Sequence, residues 1–179
     1  MRFMESRRGL VALFIVLAGV AELTLGAAPA VALDRFEDWE VSCASPSSAS
    51  TPAKDNKKLC RMTQNHVDQK SGRTVLLFTL VKGRTGRMNV IVSVPMGIYL
   101  PPGITISIDG SERFRLLFET CNQSGCHGGY ELSAQTLGAF RRGLVAQHSF
   151  YTAKNNRVDI PVSLKGFSKA FSRLKTLST

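Results

Sequence analysis

The 179-residue chain has few of the side chains that most often build active sites. It contains three histidines and 13 acidic residues, against 23 Lys+Arg. It has no Gly-x-Ser-x-Gly, no His-Glu-x-x-His and no Gly-rich phosphate loop. These absences remove the commonest signatures of serine hydrolases, zinc proteases and nucleotide-binding proteins. We therefore predict no catalytic, cofactor-binding or metal-binding residue, and we expect that the protein is not an enzyme.

Long apolar runs are also scarce, and the longest lies near the N-terminus. A head with three arginines, residues 1–8, precedes the apolar run 10–21 and a small-residue segment that ends with Ala30-Val31-Ala32. This order predicts a signal peptide over residues 1–32 with cleavage near Ala32, or after Ala30 as the second choice. The alternative is an uncleaved anchor, but the run is shorter than the roughly 20 residues that a spanning helix needs. The predicted mature protein is a single domain over residues 33–179, with no transmembrane segment.

Acidic residues are outnumbered, and the imbalance bears on the choice of partner. Removal of the leader, with its three arginines and two glutamates, changes the formal net charge from +10 to +9. Such a surplus makes an anionic surface a candidate partner. A solvated basic surface without a dedicated partner is the alternative. Nucleic acid is not predicted, because the longest basic runs have two residues (Lys57-Lys58 and Arg141-Arg142) and no aromatic residues are interleaved with them.

Alternating apolar residues predict several short strands. They are Trp39–Cys43, a segment that begins at Cys60, Thr74–Val81, Met88–Val94, and two hairpins, residues 104–118 around Asp109-Gly110 and residues 144–164 around Lys154-Asn155-Asn156. The nearly continuous apolar run 74–81 predicts a strand covered on both faces. Residues 44–58, rich in Ser, Pro, Ala and Lys, have the composition of a loop.

Two short helices complete the pattern. Ser133 is a predicted N-cap for Ala134–Arg142, with Gly143 as the stop. Near the C-terminus, Phe167, Ala170, Phe171 and Leu174 fall on one helical face. The fold class is therefore mainly β, an antiparallel β-sandwich or a partly open barrel with two short peripheral helices.

Four cysteines follow the leader: Cys43, Cys60, Cys121 and Cys126. An even set in an exported chain predicts disulfides, and four cysteines allow three pairings. Turn-forming residues between Cys121 and Cys126 favour local pairing, which leaves Cys43 with Cys60. A redox-active pair is disfavoured because the spacing is not Cys-x-x-Cys. Zinc is disfavoured because Cys121, Cys126 and His127 lack a fourth ligand.

The most prominent candidate for partner contact is the segment Pro95–Gly103. Its prolines exclude a central strand, and they bracket Met96, Ile98, Tyr99 and Leu100. These four residues are candidates for apolar contact with a partner, and ordinary core packing is the alternative. Trp39, the one tryptophan, is interpreted as a core residue rather than a ligand platform.

These features occur together in a known order. The chain carries Phe36-Glu-Asp-Trp39-Glu-Val-Ser-Cys43, then Leu59-Cys60, then Pro95-Met-Gly-Ile-Tyr-Leu-Pro-Pro-Gly103, then Phe118-Glu-Thr-Cys121 with Gly125-Cys126, and finally Ile160–Phe167. This order resembles the invasion-associated locus B family of exported alphaproteobacterial proteins, over nearly the whole mature chain. The resemblance implies that the four cysteines are disulfide partners. It brings no established catalytic residues.

The resemblance also implies a location and a role. It implies a bacterial protein of the periplasm or cell surface, or one that is secreted, in a family linked to virulence and host-cell invasion. The predicted function is a non-enzymatic binding module whose partner is an envelope or host-surface component. The alternative is a periplasmic enzyme or thiol-redox protein with an unrecognised site.

Overall fold

Two antiparallel sheets make up most of the structure, a computed structural model that describes residues 33–44 and 59–178, apart from the side chain of Glu112. The predicted signal peptide and nearly all of the predicted loop lie outside the described residues. Among the described residues, no helix is long and apolar enough to cross a membrane.

The larger sheet has seven strands in the order β1-β2-β3-β4-β5-β9-β8. Their bounds are β1 Leu33–Phe36, β2 Trp39–Ala44, β3 Leu59–Val67, β4 Thr74–Lys82, β5 Met88–Val94, β8 Thr120–Asn122 and β9 Gly125–Glu131. The chain runs through β1 to β5 as a meander and returns to the same sheet with β9, which pairs with β5. This return places residues of β9 beside residues more than 30 positions earlier in the sequence.

The smaller sheet has four strands in the order β11-β10-β6-β7. Its strands are β6 Ile104–Ile108, β7 Glu112–Leu116, β10 Val145–Ala153 and β11 Asn156–Ser163. Both predicted hairpins are confirmed. In the first, Asp109 and Gly110 have φ of 47° and 77°. Positive φ at both central residues of a tight turn matches the right-handed twist of the flanking strands.

The two sheets pack face to face and share one core. The Trp39 Nε1 of β2 donates a hydrogen bond to the carbonyl oxygen of Ser163 in β11, at 3.1 Å. The Phe78 ring of β4 lies 5.6 Å from the His148 ring of β10. These contacts join the larger sheet to the smaller one, and the described residues form no closed barrel. Of the two predicted architectures, the structure is therefore the β-sandwich.

Two helices also contribute to the core, and both match the sequence prediction. Helix α1 spans Ala134–Arg142, with the Ser133 side chain accepting the Thr136 amide at the N-cap. Helix α2 spans Phe167–Leu177 and buries the predicted apolar face of Phe167, Ala170, Phe171 and Leu174. Phe140 of α1 stacks on Phe167, with ring centroids 5.4 Å apart. The helices thus lie beside the sandwich while supplying aromatic side chains to it.

One strand differs from its prediction. The run 74–81 was expected to be covered on both faces, but in β4 only Leu76, Phe78 and Leu80 are fully buried. Val75, Leu77 and Val81 are half-buried on the outer face of the larger sheet. The physical reason is that the helices pack on the core side: α2 contacts β1, β2 and β3, and its Phe167 ring lies 5.2 Å from the buried Trp39 ring.

Candidate functional site

The segment Pro95–Gly103 connects β5 of the larger sheet to β6 of the smaller one, as an irregular crossover rather than a strand. Three of the four residues predicted for partner contact are exposed on it: Met96 at 61%, Leu100 at 43% and Tyr99 at 37%. The fourth, Ile98, is half-buried and packs against the core. The structure therefore places Ile98 in the packing role and leaves the other three side chains at the surface.

Backbone contacts hold this exposed segment in place. The Tyr99 amide donates to the Tyr151 carbonyl oxygen at 2.7 Å, and the Gly103 amide donates to the Leu100 carbonyl oxygen at 2.9 Å. Gly103 has φ of +68°, and a Cβ at this position would lie 2.3 Å from the carbonyl oxygen of Leu116. Only glycine fits this close approach of two backbones. The apolar side chains are thus presented by a turn with a defined conformation.

A fourth exposed apolar residue was not predicted. Leu117 follows β7, is 54% exposed, and its Cδ2 lies 3.3 Å from where a Gly103 Cβ would be. We call Met96, Tyr99, Leu100 and Leu117 the apolar surface. In the sequence, the one indication that Leu117 is exposed is that it interrupts the alternation of Phe114, Leu116 and Phe118. A single apolar residue at an outward position is common, so this signal is weak without the neighbouring crossover.

A cavity of about 390 Å³ lies next to Met96 on the outer side of the larger sheet. Its lining joins the start of the crossover to the β8–β9 turn: Thr74, Leu77, Ser93, Val94, Pro95, Met96, Gln123, Ser124, Gly125 and His127. The lining combines apolar side chains with hydroxyl and imidazole groups. Such a mixture suits a ligand that buries an apolar part and is oriented by a few hydrogen bonds.

His127 is the centre of the polar contacts in this lining. Its Nδ1 lies 2.8 Å from the Ser93 Oγ, and its Nε2 lies 3.2 Å from the Ser124 Oγ. The Ser93 contact exists because β5 pairs with β9 in a register that places Ser93 opposite His127. Ser124 also donates a 2.6 Å hydrogen bond to the Asn122 Oδ1. This shorter bond uses the hydroxyl proton that a nucleophilic serine would give to the histidine.

The disulfides are the local pairs that the sequence favours. The bonded pairs are Cys43–Cys60 and Cys121–Cys126, and each joins directly opposite residues of adjacent strands. No free cysteine is found among the described residues. All four sulfurs lie on strands, away from the helix N-termini that lower thiol pKa values in redox proteins. The geometry is that of structural cross-links, and the second of them holds the turn that carries Ser124.

The other two histidines are packed into the protein. His66 is half-buried, with its Nε2 2.8 Å from the Gln64 Oε1, and burial lowers its pKa. His148 is fully buried between the sheets, and burial lowers its pKa to about 4. Its Nδ1 lies 2.9 Å from the Ala146 carbonyl oxygen, while its Nε2 has no hydrogen-bond partner in the described structure. Neither histidine lines the cavity.

The fold and surface define a disulfide-bonded β-sandwich that presents an ordered apolar segment beside a mixed cavity. Residues 39–175 match the family described as invasion associated locus B (IalB) protein, so the chain belongs to that family. It is 26% identical over 146 residues to two invasion protein B homologues, from Brucella abortus strain 2308 and from Brucella abortus biovar 1 strain 9-941. Each alignment covers 81% of this chain and 80% of the relative.

A solved structure supports the fold assignment. The crystal structure of invasion associated protein B from Bartonella henselae matches with a TM-score of 0.69 and 22% identity. The match covers 82% of this chain and 96% of that structure. The sequence-based family assignment and the predicted β-rich fold are therefore both confirmed.

Proposed function

We propose that this protein is exported to the bacterial envelope or beyond it and binds an envelope or host-surface component through the apolar surface, without catalysing a reaction. The observation that carries this proposal is the exposure of Met96, Tyr99 and Leu100 on a crossover held by backbone hydrogen bonds. Exposed apolar side chains on an ordered segment gain free energy only when a partner covers them. The relatives are named as invasion protein B homologues, and these names support a role in contact with a host.

Export rests on the sequence of the leader and on the disulfides. Cross-links persist in oxidising compartments such as the periplasm and the cell surface. Removal of the leader near Ala32 would leave Leu33, the first residue of β1, at the new N-terminus. Mass spectrometry of the protein recovered from the periplasm or culture medium would locate the cleavage site.

Replacing Met96 and Leu100 together with alanine is expected to abolish partner capture while leaving the melting temperature within about 2 °C of the wild type. Both side chains are exposed, and surface substitutions usually change stability by less than about 0.5 kcal/mol. The measurement is chemical crosslinking in intact cells, followed by identification of the captured species. Tyr99→Ala should act in the same direction.

The matched control is Val67→Ala, an exposed apolar residue on β3 outside the crossover. Capture should be unchanged in this variant. Unchanged capture by the Met96/Leu100 variant would remove the apolar surface as the contact site. A lowered melting temperature without loss of capture would support the packing role that the sequence left open for these residues.

The Ser124–His127 contact is the specific observation that favours the alternative, a hydrolytic enzyme. Because Ser124 donates its proton to Asn122, we expect no reaction with a fluorophosphonate probe, which modifies activated serines. The measurement is the extent of Ser124 labelling by the probe, determined by peptide mass spectrometry. Stoichiometric labelling of Ser124 that disappears in His127→Gln would establish a nucleophile and overturn the non-enzymatic proposal.

A further inference from the structure

A second surface forms where the end of α1 meets the start of α2. The Ser168 Oγ donates to the Arg141 carbonyl oxygen at 3.3 Å, and the Leu164 amide donates to the Leu144 carbonyl oxygen at 2.8 Å. These bonds place residues 141–144 beside residues 164–168. The surface adjoins Val145 at the start of β10, whereas Tyr99 of the apolar surface bonds to Tyr151, six residues along the same strand. At about 3.3 Å per residue, the two surfaces lie roughly 20 Å apart.

This second surface concentrates positive charge. Arg141, Arg142, Lys165 and Lys169 are exposed, and none of them forms an ion pair with a described side chain. Asp109 is one carboxylate beside them, since it lines a cavity together with Arg142. Its oxygens accept hydrogen bonds from the Leu144 and Val145 amides. The backbone of Gly166, which follows Lys165, lies against Glu37, whose Cβ is 3.0 Å from where a Gly166 Cβ would be. The local balance is therefore four cations against two carboxylates, one of which is held by backbone amides.

An exposed leucine stands among these cations. Leu144 is 68% exposed, follows Arg142 after one glycine, and is bonded through its carbonyl group to the residue before Lys165. A soluble polyanion would neutralise the cations but would leave this side chain in water. A phospholipid surface offers phosphate groups to the cations and an apolar layer directly beneath them for the leucine.

We propose that this second surface docks the protein on anionic phospholipid membranes. We call it the basic surface, and it consists of Arg141, Arg142, Leu144, Lys165 and Lys169. The cations contact phosphate groups, and Leu144 enters the boundary between headgroups and acyl chains. This attachment is separate from partner binding through the apolar surface. It would hold the apolar surface away from the lipid, since the two lie towards opposite ends of β10.

The test is sedimentation of the naturally processed protein with lipid vesicles. Vesicles of phosphatidylcholine and phosphatidylglycerol should bind the protein, and vesicles of phosphatidylcholine alone should not. Lys165→Ala with Lys169→Ala should lower the partition coefficient by about thirtyfold, because two cations near an anionic surface are lost. Leu144→Ala should lower it by about fiftyfold, through the loss of three buried methylene equivalents. Added salt should weaken binding by the wild type.

The matched control is Lys70→Ala with Lys154→Ala, which removes the same charge from exposed turns elsewhere. Lys154 follows the far end of β10, about 27 Å along the strand from Val145.

An equal loss of binding in this control would overturn the proposal in favour of net charge alone. An unchanged partition coefficient for Leu144→Ala would overturn the insertion of the leucine. Binding to dextran sulfate without binding to vesicles would replace the membrane with an acidic polysaccharide. Circular dichroism melting would verify that each variant is folded.

Discussion

Trp39→Ala is expected to lower the free energy of unfolding by about 4 kcal/mol, a large share of the stability of a domain of this size. The side chain is 0% exposed. Its ring lies 5.3 Å from the Phe78 ring and 5.2 Å from the Phe167 ring, so it touches both the larger sheet and helix α2. Removal would leave a cavity at the point where these elements meet the smaller sheet.

Urea unfolding followed by far-ultraviolet circular dichroism is the appropriate measurement, since tryptophan fluorescence is lost in the variant. Trp39→Phe should cost about 1–2 kcal/mol, because it retains a ring but removes the hydrogen bond to the Ser163 carbonyl oxygen. That carbonyl also accepts the Gln64 Nε2 at 2.9 Å and would keep one partner. Leu33→Ala, at an exposed position of β1, is the control and should change stability by less than about 0.5 kcal/mol. A Trp39→Ala cost below about 1 kcal/mol would contradict the core role.

Acidification from pH 7 to about pH 4 is expected to remove about 3 kcal/mol of stability through His148 alone. In the folded protein, the pKa of His148 is lowered from 6.5 to about 4: burial is the main cause, the hydrogen bond to the Ala146 carbonyl oxygen opposes it, and the nearby His66 adds a smaller lowering. The unfolded chain therefore binds the proton more readily than the folded one. The contribution of His148 is complete above about pH 6.5 and is lost as the pH falls towards 4.

His148→Phe should reduce this acid sensitivity by about 3 kcal/mol, measured as the difference between the free energies of unfolding at the two pH values. A phenyl ring can keep the contact with Phe78, and it introduces no buried atom without a hydrogen-bond partner. The control is His66→Gln, which should produce a smaller change because His66 is half-buried. An unchanged pH dependence in His148→Phe would show that this histidine is already accessible to protons in the folded state.

Local patterns were sufficient for most secondary-structure elements. Alternation identified the main strands, capping residues identified α1, and the apolar face of Phe167, Ala170, Phe171 and Leu174 identified α2. The bounds of β1, β8 and β9 were not predicted. Strands β1 and β8 have four and three residues, and β9 carries three glycines in seven residues, so none of them shows a clear apolar alternation. Burial of run 74–81 was overestimated because apolar residues on the outer face of the larger sheet remain half-exposed.

The residues of the candidate site also fall into two groups, those that local patterns predict and those that they do not. Met96, Tyr99 and Leu100 could be predicted because prolines mark an irregular segment wherever it lies. Leu117 and the cavity could not be predicted. Ser93 and His127 are separated by 34 positions and meet only because β9 returns to pair with β5. The basic surface could not be predicted for the same reason, since it forms where Arg141 meets Ser168, 27 positions further along the chain.

The β-rich class, the two helices and the family follow from residue types at short or characteristic spacings. The same spacings favoured the local disulfide pairing that the structure shows. Three outcomes required the three-dimensional fold: which sheet each strand joins, the inward packing of Ile98 while Met96 and Leu100 remain exposed, and which distant residues become neighbours. These outcomes depend on strand order and register, which are set by the burial of the whole apolar core rather than by any local pattern.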